Sequence, residues 1–198
     1  MSHAERESQA ALKQYITNNT VVPTAWGLLA SDLSRSFLLV PFLNLLPRCP
    51  PPSSLLGILK TLHMTSVSPT GKFGFHVNTF FGPLPMLNDW TGSWEHYYGR
   101  QWDSDVKLVQ AAHGADAELQ RLAHEFRDKV IARLLRPLQT GGRSVRPVLC
   151  HGDLWDGNVQ VDAQRGEGVL FDGVCFYGHG ESEFPRPPFL VIELQLGV

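Results

Sequence analysis

The sequence has no cysteine pair at metal or disulfide spacing: Cys49, Cys150 and Cys175 stand far apart in 198 residues. An odd, scattered set supports neither a zinc site nor a disulfide framework, and it fits reduced thiols in a cytoplasmic setting. Charge of one sign is also lacking. Seventeen Lys and Arg against nineteen Asp and Glu leave a formal net charge of -2, which offers no basic face to nucleic acid or to an acidic membrane. Long hydrophobic runs are missing too. The greasiest stretch, Phe37 to Leu46, is interrupted by Pro41 and Asn44. It is too short to span a bilayer and reads as a buried strand. The opening MSHAERESQAALKQY contains no apolar signal-peptide core. A phosphate-cradling G-x-x-x-x-G-K-[ST] loop is absent, because Gly71-Lys72 lacks both the earlier glycine and the following hydroxyl.

What is present is enough to bury a core: 43% hydrophobic residues, five Trp and eleven Phe. That amounts to one domain or two small lobes. Ala4 to Ile16 carries helix formers at helical spacing and is stopped by Asn18, Asn19 and Pro23. Val21 to Leu29 and Phe37 to Leu43 read as strands joined by a turn at Ser31 to Ser34. The proline run 48–52 breaks the chain. A helix follows from Ser53 to His63, capped by Ser53 or Ser54, with Leu55, Leu56, Leu59 and Leu62 inward. Thr65 to Leu87 reads as a long loop with short strand pieces. Helices are expected over Trp90 to Gln101 and Ala115 to Leu135, the latter burying Leu119, Leu122, Phe126, Val130, Ile131 and Leu134. Short strands at Arg146 to Cys150, Val159 to Val161 and Gly168 to Asp172 then bracket a polar motif, and the class is α+β.

That motif, HGDLWDGN from His151 to Asn158, is followed by a hairpin and Phe171-Asp172-Gly173. Phosphoryl transfer needs a base that orients a substrate hydroxyl, and metal ions that neutralise phosphate oxygens. Asp153 on a rigid loop suits the first task. The Asn158 amide oxygen and the Asp172 carboxylate suit the second, since Mg²⁺ takes hard oxygen ligands and completes its shell with water and phosphate. The spacing D-x-x-x-x-N, hairpin, F-D-G matches a kinase catalytic loop and metal-binding Asp. His151 either braces the loop or takes part in catalysis. Gly152 and Gly157 permit the bends, Trp155 walls the site, and Asp156 reads as a solvated turn residue.

HGDLWDGN, with Phe176-Tyr177-Gly178-His179 and the stretch Gly71 to Trp94 (GKFGFHVNTFFGPLPMLNDWTGSW), resembles the fructosamine-kinase (ketosamine-3-kinase) family, relatives of the aminoglycoside phosphotransferases. The resemblance covers roughly residues 5 to 181. It implies a protein-kinase-like fold with an incomplete N-lobe (1–47), a mainly helical C-lobe carrying the catalytic hairpins (48–181) and a divergent tail (182–198). It implies ATP and Mg²⁺ as cofactors. The substrate would be a ribulosamine or fructosamine, on glycated protein or as a small ketosamine, phosphorylated at the sugar O3 so that the adduct is destabilised and the protein repaired. By the same resemblance Glu7, with Glu5 as a rival, is the helix carboxylate that pairs with an ATP-contacting lysine. Val40, Phe42 and Leu43 would hold adenine through their backbone, and Phe75, Asn88 and Trp90 would line the substrate side. A monomer is expected.

The sequence departs from the family pattern at both ends. Neither a glycine-rich loop nor a strand lysine precedes the first helix, and the segment after His179 turns to ESEFPRPPFLVIELQLGV. A shortened or mis-spliced product is the expectation. An inactive pseudokinase fragment, a phosphotransferase for another small-molecule hydroxyl, and a metal hydrolase using His151, Asp153 and His179 stand as alternatives, the last without paired-His spacing.

Overall fold

The computed structural model describes residues 2–82 and 84–183. Helix α1 (Ser2–Ile16) has Glu5 in its first turn and Lys13 in its last, the charge order that suits the helix dipole. It buries Ala4, Ser8, Gln9, Ala11, Leu12 and Ile16. Strands β1 (Ala25–Leu29) and β2 (Asp32–Leu39) form an antiparallel ribbon. Its turn is tighter than the sequence suggests, and Asp32 already belongs to β2, where its carboxylate accepts the Ser34 N–H at 3.0 Å. The buried strand expected over 37–46 is corrected. β2 stops at Leu39, before Pro41, which has no N–H to extend a ladder. Leu39, Val40 and Phe42 are exposed, Phe42 at 92%. Apolar content alone cannot bury a strand, and the ribbon pairs with no further strand among the described residues.

A two-residue strand β3 (Leu45–Leu46) leads to helix α2 (Pro52–Thr65). No serine caps α2. The helix begins on Pro52, whose fixed φ suits a first turn, and the Pro51 carbonyl accepts from Ser54 and Leu55. Ile58, Leu59 and Leu62 face the core, and Leu56 faces out. The long loop carries the pair β4 (Thr79–Phe81) and β5 (Leu84–Met86). Helix α3 (Trp94–His113) starts later than expected because the Ser93 hydroxyl caps it by accepting from His96 N–H at 3.1 Å. Helix α4 (Ala117–Glu125), capped by Asp116, passes through a π turn over Phe126–Ile131 into α5 (Ala132–Leu135). The π turn shifts the phase of the apolar stripe. Of the expected inward face only Ile131 is buried, while Leu122, Phe126, Val130 and Leu134 are each more than a third exposed.

The last strands position the polar motif. β6 (Val148–Cys150) pairs antiparallel with β9 (Phe176–Gly178), and β8 (Gly168–Leu170) pairs with β7 (Val159–Asp162). β3 adds to β7, giving the order β3-β7-β8, so the segment before α2 is tied to the β7–β8 hairpin. Leu12 of α1, Leu62 of α2, Leu149 of β6 and Leu170 of β8 are fully buried in one core.

The β7–β8 turn is locked by Asp162. Its carboxylate accepts Gln164 N–H at 2.8 Å and Arg165 Nε–H at 2.7 Å. The Arg165 contact first, then the Gln164 N–H, holds its pKa below the ordinary 3.8. A depressed carboxylate stabilises the fold above its unfolded value and loses that contribution as pH falls through the folded one. The Asp162 contribution is therefore complete above pH 3.8 and is lost below it. Urea midpoints should fall as the pH drops below 3.8 in the unmodified protein, and less steeply in Asp162→Asn. Equal slopes would remove Asp162 from the acid response.

Candidate active site

Strand β6 delivers the chain into the site at His151, which is completely buried. The Phe171 carbonyl can only accept, so His151 Nε2 carries the proton and donates to it at 3.0 Å. His151 Nδ1 then accepts from Asp153 N–H at 3.4 Å. Burial holds the imidazole pKa below its ordinary value, which suits this neutral tautomer. Of the two roles open in the sequence, the geometry is that of a brace: His151 joins the loop to the residue before Asp172. The His151 carbonyl also accepts from Val174 N–H at 2.8 Å. Gly152 takes φ +83°, and a Cβ there would lie 2.2 Å from the Val174 carbonyl oxygen.

Asp153 and Asn158 are in direct contact. Asn158 Nδ2 donates to the Asp153 carboxylate at 2.7 Å and to the Asp153 carbonyl at 2.9 Å. Both amide hydrogens are thereby used, and Oδ1 is the atom left to meet a cation. The Asp153 pKa is raised from its ordinary value by burial first, with the Asn158 hydrogen bond opposing and the Asp172 charge adding to it. Trp155 is half exposed and its ring lies over Gly157; Asp156 is exposed in the turn.

Asp172, between β8 and β9, is the sole non-glycine residue with positive φ (+58°) among the described residues. Gln9 of α1 holds that unusual backbone. With its amide turned to suit its neighbours, Oε1 accepts from Asp172 N–H at 2.7 Å and Gly173 N–H at 3.3 Å, while Nε2 donates to Val21 O at 3.0 Å. Glu5, one turn earlier, is raised by burial and then by the Asp172 charge. The Asp172 charge raises both Glu5 and Asp153, so the three carboxylates concentrate negative charge; the Asp172 carboxylate and the Asn158 Oδ1 are hard oxygens, the ligand type Mg²⁺ prefers.

A cleft of about 510 Å³ is lined by Glu5, Gln9, Val40, Phe42, Leu43, Phe171 and Asp172. It brings the expected hinge residues and the expected metal carboxylate together. Other expected residues lie elsewhere. Glu7 does not line the cleft: its carboxylate lies 2.9 Å from His76 Nε2 and accepts from Arg6 at 2.7 Å, contacts that lower its pKa. Glu5 is the α1 carboxylate on the cleft side. Phe75 and Asn88 are core residues, at 3% and 1% exposure. Asn88 donates to Val77 O and Thr79 Oγ1, each at 3.0 Å, and accepts from Tyr97 OH at 2.7 Å, so its groups are occupied in fixing the β4–β5 loop. Trp90 is partly buried, 6.0 Å from the Tyr177 ring. The sequence reading passed over Gln9 and Glu183. For Gln9 the available signal was its i,i+4 spacing from Glu5 on one helix face. Glu183, whose carboxylate accepts backbone N–H groups of His151 and Gly152, lay inside the segment set apart as a tail. The rest of that tail, 184–198, is outside the described residues.

The fructosamine kinase family model matches residues 1–186. The chain is similar to a chloroplastic protein-ribulosamine 3-kinase of Oryza sativa subsp. japonica, 30% identical over 186 residues, covering 91% of this chain and 50% of the relative. It is 39% identical over 113 residues to a ketosamine-3-kinase of Mus musculus, covering 57% of this chain and 34% of that protein. The chain therefore spans half or less of the length of these curated relatives. Among solved structures, a protein assigned as a fructosamine-3-kinase from Haemophilus somnus 129PT superposes with TM-score 0.64 at 20% identity, covering 100% of this chain and 64% of that one. That likeness establishes the fold. Among the described residues, no helix is long and apolar enough to cross a membrane.

Proposed function

The chain belongs to the fructosamine kinase family, and from that membership we propose that it is built to transfer the γ-phosphoryl group of ATP to the O3 hydroxyl of a ketosamine. The observation that carries this reading is the Asp153–Asn158 contact at 2.7 Å, braced through His151 to the strand end where Asp172 faces the cleft. Adenine lies against the backbone of Val40, Phe42 and Leu43. Asn158 Oδ1 and Asp172 would hold Mg²⁺, and Glu5 rather than Glu7 is the α1 carboxylate on that cleft. The metal neutralises phosphate oxygens during transfer.

Asp153 orients the sugar hydroxyl and accepts its proton as the oxygen bonds to the γ-phosphorus. The bond from that phosphorus to the β-phosphate oxygen breaks, and ADP leaves. Raised proton affinity from burial suits Asp153 to this work. The names of the rice and mouse relatives, ribulosamine and ketosamine kinases, support a sugar attached to an amine as acceptor. Acceptors on glycated protein, a cytoplasmic setting suited to the three free thiols, and a monomer belong to the same reading.

Calorimetry with Mg-ATP tests it. The unmodified chain should bind, and Asp172→Ala should weaken binding by about tenfold or more, the loss of one charge-assisted metal contact. Binding should be followed by ADP release on adding a ribulosamine. No binding by the unmodified chain would overturn the kinase reading in favour of a non-catalytic module. Equal binding by both proteins would remove Asp172 from the metal site.

A further inference from the structure

We propose that Glu183 is the positioning residue of the catalytic loop, a buried carboxylate that clamps two successive peptide N–H groups just before Asp153. This rests on the function proposed above and extends it to the residue that fixes the base. Glu183 is 3% exposed. One oxygen accepts from His151 N–H at 2.9 Å and the other from Gly152 N–H at 3.1 Å. Successive N–H groups converge on one anion where the backbone takes a left-handed residue, and Gly152 at φ +83° supplies it. On its outer side the carboxylate meets His63 Nε2 of α2 at 3.3 Å.

A buried carboxylate is expensive unless each oxygen is satisfied. An apolar side chain would fill this space with less penalty, so what the charge adds is the hold on those two peptides. The effect reaches the chemistry in one step, because the Gly152 peptide orientation sets where the Asp153 carboxylate lies relative to Asn158. The ligand atoms of Glu183, His63 and Cys150 lie within 4.8 Å of one another, a spacing a metal ion could bridge. The loop N–H groups already occupy both carboxylate oxygens, and the completely buried Cys150 thiol shares its contacts with Val148 O, His179 O and Ser182 Oγ. The cluster is a tether.

The test is NMR on the whole chain without nucleotide, so it reads the clamp separately from any kinase activity. In the unmodified protein, couplings across the hydrogen bonds should link the His151 and Gly152 amide nitrogens to the Glu183 carboxylate carbon. Glu183→Gln should lose at least one coupling and speed exchange of these two amides about tenfold or more. It should also shift the Asn158 side-chain amide signals. Glu183→Asp, which keeps the charge, should retain part of the protection. His63→Gln should leave both amides protected. Absent couplings in the unmodified protein would overturn the clamp. Unmoved Asn158 signals in Glu183→Gln would overturn the positioning role and leave Glu183 as core packing. If Glu183→Gln fails to fold, Glu183→Asp decides: faster exchange of the two amides there with unmoved Asn158 signals would have the same meaning.

Discussion

Asp153→Asn is expected to lower the rate of ketosamine phosphorylation by about 10²–10⁴-fold, the range for loss of a general base. Mg-ATP affinity should stay near that of the unmodified chain. The substitution is close to isosteric, and an asparagine oxygen can still accept the Asn158 hydrogen bond that spans 2.7 Å. The loop has independent supports in the His151–Phe171 bond and the Val174 N–H to His151 carbonyl bond. What disappears is the site's capacity to take a proton. That capacity is heightened in Asp153 by burial and by the neighbouring Asp172 charge. Steady-state kinetics beside calorimetry separates the effects: a fall in kcat with constant nucleotide affinity is the result expected. An unchanged kcat would show that another group takes the proton. Parallel loss of nucleotide binding would show that Asp153 belongs to the metal set instead.

The short strands around the polar motif were legible in the sequence because their determinants are local. HGDLWDGN lies between two strands of apolar residues. The turn from Asp162 to Gly166 closes on itself through backbone and Asp162 contacts, and its positive φ falls on glycine. Hidden instead was whatever depends on which neighbour a segment meets. Phe37 to Leu46 has the composition of a buried strand, yet burial needs a covering layer, and the ribbon leaves Phe42 exposed. Glu5 and Glu7 are two residues apart on a helix, about 200° in rotation. Composition could not choose between them, whereas docking of α1 turns Glu5 and Gln9 toward Asp172 and Glu7 toward His76. Asn88 carries the polar groups of a substrate ligand, but the fold of the β4–β5 loop consumes them. Glu183 left no signal, because its contacts are to backbone N–H groups whose direction no side-chain pattern records.

Gly152→Ala should destabilise the protein by about 3 kcal/mol or more, adding left-handed strain for a residue with Cβ to a close contact that cannot relax. The new Cβ would lie 2.2 Å from the Val174 carbonyl oxygen and 2.9 Å from its carbon. Those atoms are backbone, and retreat is blocked because Val174 N–H is bonded to the His151 carbonyl at 2.8 Å. Gly166 provides the comparison. It too has positive φ (+70°), but nothing lies within 4 Å of its would-be Cβ, so Gly166→Ala should cost only the strain, about 1 kcal/mol. In a chain of this size each kcal/mol moves Tm by about 2–4 °C. The expected losses are therefore about 6 °C or more for Gly152→Ala and about 2–4 °C for Gly166→Ala. Equal losses would mean that strain alone governs both sites and that the catalytic loop can move away from Val174. The larger loss at Gly152 would mean that the approach of the loop to the segment after Asp172, which fixes where the chain delivers Asp153, tolerates no side chain.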